Sequence, residues 1–80
     1  MIIVIDYEVG NIGSVMKAFN YLEIPVQLSS RKCDIKKADG LVLPGVGTFE
    51  SGLKNLQQKK LIKVIKKVVR EGKPLLGICL

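Results

Sequence analysis

Met1-Ile2-Ile3-Val4-Ile5 is an unbroken apolar run closed by Asp6. A run with no polar side cannot form one face of a half-solvated sheet. It reads as a strand buried on both faces, which calls for a sheet between two layers of helix. Because Asp6 interrupts it and no basic leader precedes it, the run is expected to be a first strand and not a signal peptide. Three more short apolar runs recur down the chain: Val26-Gln27-Leu28, Gly40-Leu41-Val42-Leu43 and Leu75-Leu76. The last follows Pro74 and reads as a short buried strand.

Helical spacing fills the intervals. Ile12, Val15, Met16, Phe19 and Leu22 lie on one side of a helix expected from Ile12 to Glu23, with Asn11 as its N-cap and Pro25 barring its continuation. Ser29 to Asp34 reads as a polar loop holding Cys33, followed by one helical turn from Asp34 to Ala38 capped by Asp34. Pro44, which cannot donate to a ladder, is expected to stop the third strand. Thr48 suits a helix N-cap, with Phe49, Leu53 and Leu56 as an apolar stripe. A second helix carries Leu61, Ile62, Val64, Ile65, Val68 and Val69, and Gly72 closes it. The alternation of strand and helix implies an α/β fold with a parallel sheet, flanking helices and right-handed crossovers. No linker or internal repeat divides it.

Lysine and arginine number 13 against 7 acidic residues, a formal charge of +6. Lys59, Lys60, Lys63, Lys66, Lys67, Arg70 and Lys73 alternate with the apolar residues of the second long helix, so they read as its solvated side. A nucleic-acid patch is the sharper alternative, but no aromatic residue is interleaved to stack on bases. No apolar run approaches the roughly 20 residues of a membrane span. With two cysteines, no histidine and no Cys-x-x-Cys pair, neither a disulfide framework nor a zinc site is expected, and a reducing cytoplasm is the default.

In a parallel sheet the strand C-terminal ends share one edge, where ligands bind. Three unusual loops leave those ends: Asp6 to Asn11, Pro44 to Gly47, and Gly77 to Leu80. Gly77 stands two positions before Cys79, the relation required where a nucleophile projects from a tight strand-to-helix turn. Taken alone, Cys79 also reads as a small buried hydrophobe at a strand end. Beside the glycine loop it becomes a candidate nucleophile. The amides of Gly45, Val46, Gly47 and Leu80 become candidate oxyanion donors. The loop has a plainer reading as a Gly-rich connection, and a phosphate cradle at Thr48 is conceivable, though no Gly-Lys-Ser/Thr signature accompanies it.

Asp6-Tyr7-Glu8-Val9-Gly10-Asn11, Leu43-Pro44-Gly45-Val46-Gly47-Thr48-Phe49 and Gly72 to Leu80 together resemble the class I glutamine amidotransferases. Within that family the likeness is greatest to the subunits that serve imidazole glycerol phosphate synthase. One departure is Glu8, where members usually have glycine. The resemblance implies a flavodoxin-like sheet, of which residues 1–80 would be the N-terminal part of a single domain, cut after its fourth strand. It implies glutamine as substrate, with Cys79 attacking the side-chain amide, and Gly45, Val46, Gly47 and the Leu80 amide holding the oxyanion. Gly10 and Asn11 would lie near the docking face for a (βα)8-barrel cyclase subunit that receives the ammonia in histidine biosynthesis. No cofactor is implied, and the family's catalytic histidine and glutamate would lie beyond residue 80. A non-catalytic docking remnant and an ammonia supplier for a sugar-modifying synthase are the alternatives.

Overall fold

The computed structural model describes residues 1–7, 12–45, 54, 56, 57 and 60–78. Four strands, β1 (Ile2–Ile5), β2 (Val26–Ser29), β3 (Gly40–Pro44) and β4 (Leu75–Ile78), form one sheet in the order β2-β1-β3-β4. Every pairing is parallel. This is the flavodoxin-like order, in which the chain first winds to one side of β1 and then to the other. Among the elements whose residues are described, three helices connect the strands: α1 (Ile12–Tyr21), α2 (Lys32–Lys37) and α3 (Ile62–Arg70). Among the described residues, no helix is long and apolar enough to cross a membrane.

Alternation along the central strands sorts side chains between two layers. Ile3, Ile5 and Leu41 join Tyr7, Ile35, Ala38, Leu61, Val64, Ile65 and Val68 in a core that α2 and α3 cover. Val4 and Val42 face the other way, onto Val15 of α1, with Ile2, Met16, Phe19 and Val26 partly buried around them. The first strand is thus buried on both sides, as its unbroken apolar run requires.

The fourth strand is present but not buried as its apolar run alone suggests; a chain cut after this strand is expected to leave it at an open edge. It lies at a sheet edge, and Leu75 and Leu76 are 41% and 54% exposed. An apolar run specifies a strand without specifying how many neighbours it has. The third strand does stop at Pro44, which is its last residue, in register with Ile78 and fully buried. At a strand terminus its missing N–H costs one ladder bond at most.

The connection from β2 to α2 differs too. Ser29 belongs to β2 and is buried, and Cys33 is an exposed free thiol within α2, not in a loop. Asp34 is not the cap. It lies in the first turn of α2, and the N-cap position is Arg31, which makes no side-chain capping bond. Ser29 does the work from the preceding strand. Its hydroxyl oxygen accepts the Arg31 N–H at 3.1 Å, while its own O–H donates to Asp34 Oδ2 at 2.6 Å. Arg31 Nε donates to the same carboxylate oxygen at 3.0 Å. A donor that arrives from another element leaves no trace in the local capping pattern.

Three helical segments end in the same geometry. Ile24 N–H donates to Phe19 O and Glu23 N–H to Asn20 O; Leu61 N–H donates to Leu56 O and Lys60 N–H to Gln57 O; Lys73 N–H donates to Val68 O and Gly72 N–H to Val69 O. Each is a Schellman motif, whose penultimate residue adopts positive φ. Those residues are Glu23 at 59°, Lys60 at 57° and Gly72 at 103°. The expected stop at Gly72 is present, and α1 ends a little before Glu23.

Candidate active-site rim

The C-terminal ends of the four strands lie along one edge of the sheet. The β1 end is tied to β2 through Asp6 N–H, which donates to Ser29 O at 2.9 Å. It is tied to β3 through Tyr7, which is only 3% exposed and whose hydroxyl donates to the Pro44 carbonyl. On the far side, Pro44 is in register with Ile78 of β4.

The Tyr7 bond controls more than packing. The Pro44 carbonyl and the Gly45 N–H belong to one trans peptide plane and point in opposite directions. By holding the carbonyl inward, Tyr7 turns the Gly45 N–H away from the core. Pro44 is buried and Gly45 half-buried, so this peptide sits where the sheet gives way to the rim. This role is not visible in the sequence, where Tyr7 reads as part of a loop. Its one available signal is the alternation Ile3, Ile5, Tyr7, which continues the inward series of β1 past the strand end.

Of the residues that the sequence singles out, Gly45 is at the rim. Gly77 is also described, as the next-to-last residue of β4 opposite Leu43, and a Cβ placed on it would meet nothing within 4 Å. Cys79, Leu80, Val46, Gly47, Gly10 and Asn11 lie outside the described residues, as do Thr48, Phe49 and Leu53. What the described frame establishes is therefore the pairing of two strand ends. Ile78, the residue before Cys79, stands beside Pro44, the residue before Gly45. Among the described residues, no group of three or more histidine, cysteine, aspartate or glutamate side chains could hold a metal ion.

The Asp34 carboxyl lies below the ordinary aspartate value, chiefly through the hydrogen bond from the Ser29 hydroxyl, opposed by desolvation and reinforced by Arg31.

Comparison with known proteins gives one answer. The family described as Glutamine amidotransferase class-I matches residues 3–80. The chain is 46% identical over 80 residues to imidazole glycerol phosphate synthase subunit HisH of Streptococcus sanguinis (strain SK36), covering 100% of this chain and 39% of that protein. It is 49% identical over 80 residues to the subunit of the same name from Lacticaseibacillus casei (strain BL23), covering 100% and 38%. With subunit HisH 1 of Legionella pneumophila (strain Paris) the identity is 52% over 77 residues, covering 96% and 36%. The chain thus spans a little over a third of the length of the curated relatives it matches.

Proposed function

The chain belongs to the class I glutamine amidotransferases, and from that premise we propose that residues 1–80 are the N-terminal part of a single domain that hydrolyses glutamine and passes on the ammonia. The observation that carries this reading is the register of Pro44 with Ile78, which brings the strand that precedes Gly45-Val46-Gly47 beside the strand that precedes Cys79. A nucleophile and its oxyanion donors have to meet within a few ångströms. Neighbouring strand ends, roughly 4.8 Å apart, supply that proximity.

The Cys79 thiolate attacks the side-chain carbonyl carbon of glutamine. The carbonyl π electrons move to oxygen, and the amides of Gly45, Val46, Gly47 and Leu80 stabilise the resulting oxyanion. Collapse of the intermediate breaks the C–N bond, and the departing nitrogen takes up a proton to leave as ammonia. Water then attacks the glutamyl thioester, releasing glutamate and regenerating the thiol. The 80 residues contain no histidine, so the proton carrier is assigned, through the family resemblance, to a position beyond them. The names of the relatives favour imidazole glycerol phosphate synthase as the destination over a sugar-modifying synthase. The acceptor is then a cyclase subunit in a cytoplasmic heterodimer, docked near Gly10 and Asn11. No cofactor takes part.

Glutamate release by the intact protein with its cyclase partner tests the reading. Cys79→Ala should lower the rate by more than about a thousandfold, while Cys33→Ala leaves it unchanged. Glutamine turnover that survives Cys79→Ala would overturn it.

A further inference from the structure

A second feature lies on the solvent side of the helical layer. Lys32 and Lys36 of α2, Lys60, and Lys63 and Lys67 of α3 line one open groove of about 600 Å³, with Val64 contributing its apolar floor. We propose that this groove is a binding site for an oligophosphate, a short chain of linked phosphates recognised by charge without recognition of any attached base.

Lysines on an ordinary solvated face spread apart to limit repulsion, but here four from two separate helices, with Lys60 from the turn before α3, line one concavity. Lys32 with Lys36, and Lys63 with Lys67, are like charges spaced i,i+4, an arrangement that opposes the helix carrying it. Lys60 holds positive φ at a Schellman position where glycine would be unstrained. Among the described residues, the ion pairs are Met1 with Asp39 and Arg31 with Asp34, so none of the five ammonium groups is neutralised by a carboxylate there. By contrast, the Lys73 ammonium has protein acceptors, the Ile35 and Lys36 carbonyls at 2.9 and 2.6 Å. The groove concentrates positive charge that a multiply charged anion would relieve.

Lysine acts as a point charge suited to phosphate oxygens, and among the described residues no arginine lines the groove to offer planar, bidentate recognition. Among the described residues, no aromatic side chain lines it to stack a base. Val64 is too little apolar surface to anchor a protein segment.

The test titrates sodium tripolyphosphate into the intact protein and maps lysine acetylation by mass spectrometry. Saturable protection of Lys32, Lys36, Lys60, Lys63 and Lys67 is expected, with Lys17, Lys54 and Lys66 unaffected. ATP should give the same midpoint within about threefold, since no base is read. The double variant Lys63→Gln, Lys67→Gln should raise the midpoint at least about tenfold, and raising salt should weaken binding steeply. Lys66→Gln should leave the midpoint unchanged. The proposal is overturned by absence of protection, by equal protection of all lysines, or by ATP binding far more tightly than tripolyphosphate. Tighter binding of an oligoglutamate or an RNA oligonucleotide at equal charge would also overturn it.

Discussion

The two faces of the sheet are covered unequally. Ten buried residues fill the layer beneath α2 and α3, while among the described residues the α1 side has three: Val4, Val15 and Val42. The strands send similar side chains to both sides, so composition does not explain the difference. Helix count does. Val4 and Val42 are central enough to be covered by α1, but Leu28, in register with Val4 on one side, and Leu76, in register with Val42 on the other, are 38% and 54% exposed. A single helix, about 10 Å across, cannot cover four strands spaced roughly 4.8 Å apart. Among the described residues the α1 face thus carries the thinner cover, although Leu75, in register with Leu41 on the other face, is also 41% exposed, and the α2/α3 face is where the described chain is anchored.

The comparison yields a graded set of expectations for stability. The largest effect is expected in the thick layer: Leu61→Ala or Ile5→Ala should cost about 2–5 kcal/mol in denaturant unfolding, as for other fully buried aliphatic side chains. Leu76→Ala on the thin face should cost less than about 1 kcal/mol, because little is buried there to lose. Equal costs at the two sites would mean that Leu76 has a covering neighbour and that the asymmetry is false.

Tyr7→Phe comes next. It removes one buried hydrogen bond at the rim end of the thick layer and leaves the Pro44 carbonyl without its donor, for about 1–3 kcal/mol. Its diagnostic readout is the Gly45 amide resonance, which should shift together with the loss of stability. A variant that loses stability while Gly45 stays unmoved would show Tyr7 to be a packing residue alone.

The helix ends offer a smaller contrast of opposite signs. Glu23→Gly, at the end of α1, should stabilise by about 1 kcal/mol by relieving positive φ, whereas Gly72→Ala, at the end of α3, should destabilise by a similar amount. Thermal unfolding of the two variants checks the pair, and matching signs would contradict the assigned backbone geometry.

The smallest effect is electrostatic. The folded Asp34 carboxyl lies below its ordinary value of 3.8, so its stabilising contribution is complete above that value. It is lost as pH falls through the lower folded value. Ser29→Ala removes the main cause, and NMR titration should show the Asp34 pKa rising toward the ordinary value. An unchanged pKa would assign the shift to Arg31 instead.

These contrasts also show which features the sequence could carry. The order of strands and helices was legible because each element writes its own period. The rim was legible because parallel strands must end on one edge. Partners brought from other elements were not legible. Ser29 replaces a local cap for α2, Tyr7 reaches across to Pro44, and Leu76 is an apolar strand residue whose exposure depends on what lies over it. Cys33 illustrates the same limit, since a polar stretch reads as loop until Ser29 supplies the acceptor that lets α2 begin at Lys32.

The most direct test of the rim as a glutaminase site distinguishes the chain's two thiols. The intact protein is treated with a limiting amount of an electrophilic glutamine analogue, a γ-chloroketone, and the adduct is located by mass spectrometry. Cys33 is exposed on α2, so a reagent guided by access alone would label it first. Modification of Cys79, suppressed by added glutamine, is expected, with Cys33 left free. Labelling of Cys33 in preference to Cys79, or labelling of Cys79 that glutamine does not suppress, would contradict it.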